Sequence, residues 1–255
     1  MAMEVTGDSG TLYAPLRPLV PTAPKETVPP MYMKNSTVWS VFLSAVLTAT
    51  LTGCGDGSGA KPDADAVAAA TAANTKMQTE SFHSSGTTTA FAGGKQEMWS
   101  DPVQGLHVEV TGATLGDVYC KDGTTYTSAD LFAAALRQRG QQITVPAELR
   151  SAYVTTKAEG GCAMYFKIAE TGRRAKGMDR TVGGRRAGAV QVSDGKTEDV
   201  YFIDDAEQRL LLLESKRDGR TSTTTYDSFG EKFIISMPAA EKTLTMDAFR
   251  YRVTK

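Results

Sequence analysis

Residues 200–238 read VYFIDDAEQRLLLLESKRDGRTSTTTYDSFGEKFIISMP. Three β-rich runs stand near its start, VYFI, RLLLLES and TSTTTY, and the last two are separated by a polar break containing Asp218-Gly219. Asp-Gly between two such runs marks a tight hairpin, because both central residues of a two-residue turn take positive φ. Strands joined so closely pair antiparallel, since a parallel return needs a crossover of about a dozen residues or more. The leucine run Leu210 to Leu213 reads as a strand covered on both faces, whereas TSTTTY wets one side.

The same pattern extends backwards. Candidate strands occupy 81–90, 95–100, 106–111, 117–120, 124–127, 163–169, 187–192, 199–203, 209–215, 221–226 and 232–236, with further Asp-Gly turns in KDG at 121–123 and SDGK at 193–196. Helices are few. Residues 66–78 hold strong helix formers, with Val67, Ala70, Asn74 and Met77 along one side. Ser128 caps a helix over 129–139 that closes at Gly140 and presents Leu131, Phe132, Ala135 and Leu136; a shorter one starts at Pro146. The class is therefore α+β, an antiparallel sheet with a few helices.

The chain has 255 residues, 41% of them apolar, and a formal net charge of −1. That balance argues against a general nucleic-acid binder. Three cysteines and two histidines, with no C-x-x-C pair, are too thin an inventory for most zinc sites, and no cofactor motif stands in the sequence. Residues 1–30 carry prolines at Pro15, Pro18, Pro21, Pro24, Pro29 and Pro30 and have little apolar periodicity, the composition of a disordered leader or of sequence upstream of the true start. Residues 31–53 have the order of a secretory signal: Lys34, an apolar run from Val38 to Leu51, then small residues. A membrane-spanning helix is the competing reading, but spanning takes about 20 apolar residues.

Leu51-Thr52-Gly53-Cys54 resembles a bacterial lipobox, in which a signal peptidase needs small side chains at the cut and the cysteine thiol receives a diacylglyceryl group. The plain alternative is a buried cysteine within the apolar segment. Lipidated at Cys54, the mature chain is expected to sit on the outer face of the bacterial cell membrane, since two acyl chains anchor stably where one does not. Residues 54–65, rich in Gly, Ser, Asp and Ala, then form a flexible tether, and 66–255 form the folded domain. Export makes a Cys120–Cys162 disulfide the expectation, with two buried free thiols as the alternative.

The basic segment RRAKGMDRTVGGRR gathers Arg173, Arg174, Lys176, Arg180, Arg185 and Arg186 against a single acid, Asp179. It reads either as a solvated loop or as a rim for anionic lipid headgroups. Enzyme motifs are weak. His83 and His107 lie in strand-like contexts, no G-x-S-x-G elbow occurs, and Gly195-Lys196-Thr197 lacks the earlier glycine of a phosphate loop because Val190 stands there. A non-enzymatic binder is the reading.

The lipobox, the small-residue tether, DVYCKDGTTYTSADLF at 117–132 and the closing series 200–238 together resemble actinobacterial lipoproteins of the LppX/LprG group and, more broadly, LolA-like half-barrel carriers. That resemblance implies a curved antiparallel sheet with helices on its concave side, enclosing an apolar cavity for acyl chains of a lipid or glycolipid. Phe82, Phe91, Trp99, Phe132, Leu136, Phe166 and Phe202 are the candidate cavity residues, although large apolar side chains build the core of any fold. The alternative is a tethered sensory or protein-interaction module with a filled core.

Overall fold

The structure, a computed structural model, describes residues 63–89 and 93–253. Cys54, the lipobox, the signal segment and Phe91 lie outside the described residues. Helix α1 (Ala64–Thr79) is followed by β1 (Phe82–Thr87), β2 (Lys95–Asp101), β3 (Gly105–Thr111), β4 (Gly116–Lys121), β5 (Thr124–Ser128) and α2 (Ala129–Arg137). Then come β6 (Tyr153–Lys157), β7 (Arg173–Arg174), β8 (Arg180–Val182), β9 (Arg185–Ser193), β10 (Thr197–Asp204), β11 (Leu210–Arg217) and β12 (Arg220–Asp227), before β13 (Thr243–Thr245) and α3 (Met246–Val253). Among the described residues thirteen strands make one open, curved sheet in the order β13-β6-β5-β4-β3-β2-β1-β12-β11-β10-β9-β7, with β8 also on β9. All pairs are antiparallel except β13 with β6.

Two of the three Asp-Gly turns are two-residue turns; Asp194-Gly195 lies in a three-residue loop where Gly195 takes positive φ (84°) and the Asp194 carboxylate accepts from the Lys196 and Thr197 N–H groups. Asp122-Gly123 and Asp218-Gly219 are two-residue loops with positive φ at both positions (49° and 72°, 51° and 76°), the backbone that matches strand twist. The chain halves meet at β1 and β12, where His83 faces Asp227 and Gly86 faces Thr224. Gly86 is required there for space, because a Cβ would collide with the Thr223 carbonyl.

The helices lie on the concave face. Ala66, Ala70, Ala73 and Met77 of α1 pack with Phe82, Met98, Leu106, Val108 and Val110. Ala129, Ala133 and Leu136 of α2 and Phe249 of α3 pack with Leu149 and Val154 in a second cluster. The leucine run is covered on both sides, as its composition predicts: a bulge beside Leu211 leaves Leu210 in the concave cluster and Leu211 and Leu212 in a third one with Ala187, Ala189, Val200 and Phe202. In β12, Thr224 and Tyr226 are buried while Thr223, Thr225 and Asp227 are not, so TSTTTY does wet one side.

Several expectations are corrected. Residues 163–169 are not a strand: Cys162–Tyr165 is a 3₁₀ turn, and the Asn74 side chain donates to the Ile168 carbonyl at 2.9 Å and accepts from its N–H at 2.8 Å. Residues 232–236 are not a strand either, because the Gln104 amide donates to the Phe233 carbonyl and accepts from the Ile235 N–H at 3.0 Å. In both places one side-chain amide supplies the bonds that a neighbouring strand would. The helix expected from Pro146 is a single turn, Ala147–Leu149, and α1 starts earlier than 66, at Ala64, with the Asp63 carboxylate capping through the Asp65 N–H at 2.9 Å. Ser128 precedes α2 but does not cap it; its Oγ accepts from the Asp117 N–H at 3.1 Å. Strands β6, β7, β8 and β13 and helix α3 were not expected, being short and without clear alternation.

One ion pair ties the end of α1 to the loop before β11. Arg209 grips both Glu80 carboxylate oxygens, with Nε at 2.8 Å from Oε2, and its guanidinium lies 5.0 Å from the Phe229 ring centre. The hydrogen bonds from Arg209 hold the Glu80 carboxyl below its ordinary value of 4.5. A depressed carboxyl contributes stability above its unfolded value and loses it as pH falls through the folded one. Urea unfolding measured from pH 6 downwards should therefore show stability declining below about pH 4.5, with a shallower decline in Glu80→Gln; identical slopes in both proteins would remove this pair as a cause.

Candidate lipophile cleft

The last turn of α1, the β2–β3 turn, the β4–β5 turn and the segment 160–166 converge on a cleft of about 310 Å³. Its floor is apolar: Met77, Leu106 and Phe166 are buried, and Cys162 and Ala163 adjoin them. Gln78, Asp101, Lys121 and Asp122 supply a polar rim. The Cys120–Cys162 disulfide, with Cα atoms 5.5 Å apart, fastens one wall to β4. Tyr165, next to the floor residue Phe166, places its hydroxyl 3.3 Å from Thr125 Oγ1, and burial pushes that hydroxyl's pKa up.

Beside the cleft two apolar side chains face water. The Asp101 carboxylate accepts from the N–H groups of Val103 (2.9 Å) and Gln104 (2.8 Å), a local turn that leaves Val103 81% exposed. Gln104, the next residue, holds the backbone on either side of Ile234, which is 93% exposed. Two large apolar side chains are thus held outward by hydrogen-bonded loops.

The candidate cavity residues do not converge on one space. Phe82 and Phe166 meet edge to face with ring centres 5.2 Å apart, and Phe166 alone of the six described lines this cleft. Phe132 and Leu136 belong to the second cluster. Phe202 packs on the other side of the sheet, with the Arg180 guanidinium 3.8 Å from its ring centre. Trp99 stands on the face opposite α1, within a ladder of rings running His83, Trp99, His107, Tyr119 at successive centre distances of 5.3, 5.4 and 4.2 Å. Phe91 is outside the described residues. Sequence reading missed Met77 and Leu106 as floor residues, and Val103, whose only signal is an aliphatic side chain at a turn tip.

Both histidines are strand residues of that outer ladder. His83 Nδ1 lies 2.9 Å from Asp227 Oδ1 and His107 Nε2 lies 2.8 Å from Asp117 Oδ1. Burial, aided by the Asp117 carboxylate, pushes the Tyr119 hydroxyl up to about 12. A second cleft of about 340 Å³ opens near this ladder, lined by Glu109, Asp117, Asp130, Arg150 and Tyr153 together with the apolar Val110, Leu115 and Ala152.

The basic segment forms β7, β8 and the start of β9, and Ala175 and Val182 within it cover the third cluster. Arg180 pairs with Glu214 at 2.6 Å, Arg185 with Asp204 at 3.6 Å and Glu207 at 3.5 Å, and Arg186 with Asp205 at 3.3 Å. The Arg174 N–H lies 3.4 Å from the Asp63 carboxylate. Arg173, Arg174 and Lys176 thus lie near the start of α1, with the Arg174 guanidinium over Gly188 of β9.

No protein family matches this chain, and no curated protein does. Among solved structures it is similar to an uncharacterised conserved protein of Thermus thermophilus, at 10% identity and a TM-score of 0.47, covering 71% of this chain and 99% of that one. It is also similar to LprF of Mycobacterium bovis, at 12% identity and a TM-score of 0.41, covering 71% and 100%. A third is the lipoprotein LppX of Mycobacterium tuberculosis, at 8% identity and a TM-score of 0.38, covering 68% and 100%.

Proposed function

We propose that this chain is an extracytoplasmic binder of a lipid or other lipophilic molecule, anchored to the cell membrane through Cys54. The observation that carries the binding half is the cleft over Met77, Leu106 and Phe166, with Val103 exposed at its mouth. Its volume of about 310 Å³ stands at the lower end of small-molecule pockets, which span roughly 300–1,000 Å³. Each methylene moved from water onto such a floor contributes about 0.8 kcal/mol, so a single acyl chain accumulates useful affinity without a charged contact. Val103 and Ile234 give the mouth an apolar lip for contact with a bilayer. Arg173, Arg174 and Lys176 are the basic-segment residues proposed to meet anionic headgroups, with Arg180, Arg185 and Arg186 engaged by carboxylates.

The test uses residues 55–255 recovered under native conditions from a membrane-containing host. Extractable lipid should accompany the protein, and Val103→Asp, at an exposed turn, should slow lipid transfer to acceptor vesicles by roughly tenfold, as expected for a carboxylate held at an apolar contact. Protein that carries no lipid and takes none up from vesicles would instead favour a tethered interaction module.

The anchoring half rests on the lipobox-like Leu51-Thr52-Gly53-Cys54 behind the signal-like segment. Full-length protein made in a bacterium should partition with membranes, and Cys54→Ser should release it or leave the signal uncleaved. Unchanged partitioning and processing in Cys54→Ser would refute lipidation.

A further inference from the structure

The sheet face opposite α1 holds three carboxylates in direct register. Glu97 on β2 pairs with Glu109 on β3, and Glu109 pairs with Asp117 on β4. Neighbouring strands lie about 4.8 Å apart, so the row spans roughly 10 Å. Like charges directly opposite one another across an antiparallel pair oppose folding. Other carboxylates of this chain take guanidinium partners: Glu80 has Arg209, Glu214 has Arg180 and Asp199 has Arg217. Among the described residues no lysine or arginine pairs with the row, Lys95 on the same face of β2 included; Glu97 lies 3.8 Å from His83 Nε2, and Asp117 bonds His107. Glu97 and Glu109 are exposed to solvent.

The adjoining row on this face is aromatic. Trp99, His107 and Tyr119 follow Glu97, Glu109 and Asp117 along the pleat and face one another across the same three strands. At its β4 end the acidic row enters the second cleft, where Glu109 and Asp117 meet the apolar Val110 and Leu115, and Asp130 and Arg150 add one charge of each sign. Leu115, in the turn between β3 and β4, is 64% exposed at the lip. Burial, reinforced by the Asp117 carboxylate, raises the pKa of the Tyr153 hydroxyl in this cleft, as a negative field requires.

We propose that this face docks an extended segment of a partner protein carrying lysine or arginine at alternate positions. Side chains on one side of an extended chain recur about every 6.6 Å, so two consecutive cations fall within the row. Their methylene stems lie along the rings while their charged heads reach the carboxylates, and an aliphatic residue beyond them fits the cleft beside Leu115. A phosphate-bearing surface, lipid or nucleic acid, meets like charge here and is turned away. None of the row lines the lipophile cleft, so this surface stands independently of the carrier reading.

In residues 55–255, which hold every described element, Trp99 is the sole tryptophan and reports on this face. Its fluorescence is followed as acetyl-Lys-Ser-Lys-Ser-Lys-Ser-Leu-amide is added, with a glutamate-for-lysine peptide as control. The lysine peptide alone should bind, and its affinity should fall as ionic strength rises from about 0.01 M to 1 M, where the screening length shrinks from about 30 Å to 3 Å. Glu97→Gln combined with Glu109→Gln should weaken binding roughly fivefold, the effect of two exposed ion pairs. The same variant should raise the melting temperature of the free protein, because the like charges no longer face each other. No binding of the lysine peptide by wild type, or equal binding by the double variant, overturns the docking surface. Spermidine bound as tightly as the peptide would assign the row to a free oligoamine and overturn a protein partner.

Discussion

Changing Cys120 and Cys162 together to serine will lower the unfolding free energy by about 4 kcal/mol and the melting temperature by roughly 8–16 °C. The bridge spans a sequence separation of 42, and a loop of that length is costly to leave open in the unfolded chain. Cys120 is fully buried on the concave face, while Cys162 begins the turn that delivers Phe166 to the cleft floor. Loss of the bond therefore acts twice, through the unfolded chain and through a looser wall. Either single serine variant should fall close to the double one, since each removes the same bond. Thermal unfolding with and without reductant checks this, and a double variant within about 1 kcal/mol of wild type would show that packing alone holds the wall.

Phe82→Ala will cost about 3–5 kcal/mol, the range for removing a buried aromatic ring from a close-packed core. Phe82 is 0% exposed, and its ring centre lies 5.2 Å from that of Phe166, 5.9 Å from Tyr226 and 6.3 Å from Phe229. The vacated volume adjoins the cleft through Phe166 and Ser100, so a bound acyl chain has somewhere to go. Lipid-free Phe82→Ala should lose the full amount in urea unfolding, whereas the diacylglycerol-loaded variant should lose less. Equal losses in both states would separate this part of the core from any ligand path.

The hairpins were readable because their determinants are local. Asp122-Gly123 and Asp218-Gly219 take positive φ at both positions, and the strands on either side pair across them. The covered leucine run was readable for a similar reason, since continuous apolarity has one economical placement. Residues 163–169 and 232–236 misled because their composition suits a strand, yet their backbone bonds go to Asn74 and Gln104. An amide more than ninety positions away leaves no trace in local periodicity. The candidate cavity set failed to converge for a related reason. Phe202 and Trp99 are as apolar as Phe166, but the register places them on the face opposite α1.

The sequence by itself determined the α+β class, most of the strand list, the antiparallel hairpins and the two cysteines available to pair, because each follows from residues near one another in the chain or from simple inventory. Only the tertiary structure decided that β1 closes on β12 and that Met77, Leu106 and Phe166 share a floor. It also decided that Ser84 is buried with no partner for its hydroxyl among the described residues. Those facts depend on register across the whole sheet, where a shift of one residue moves every side chain to the other face.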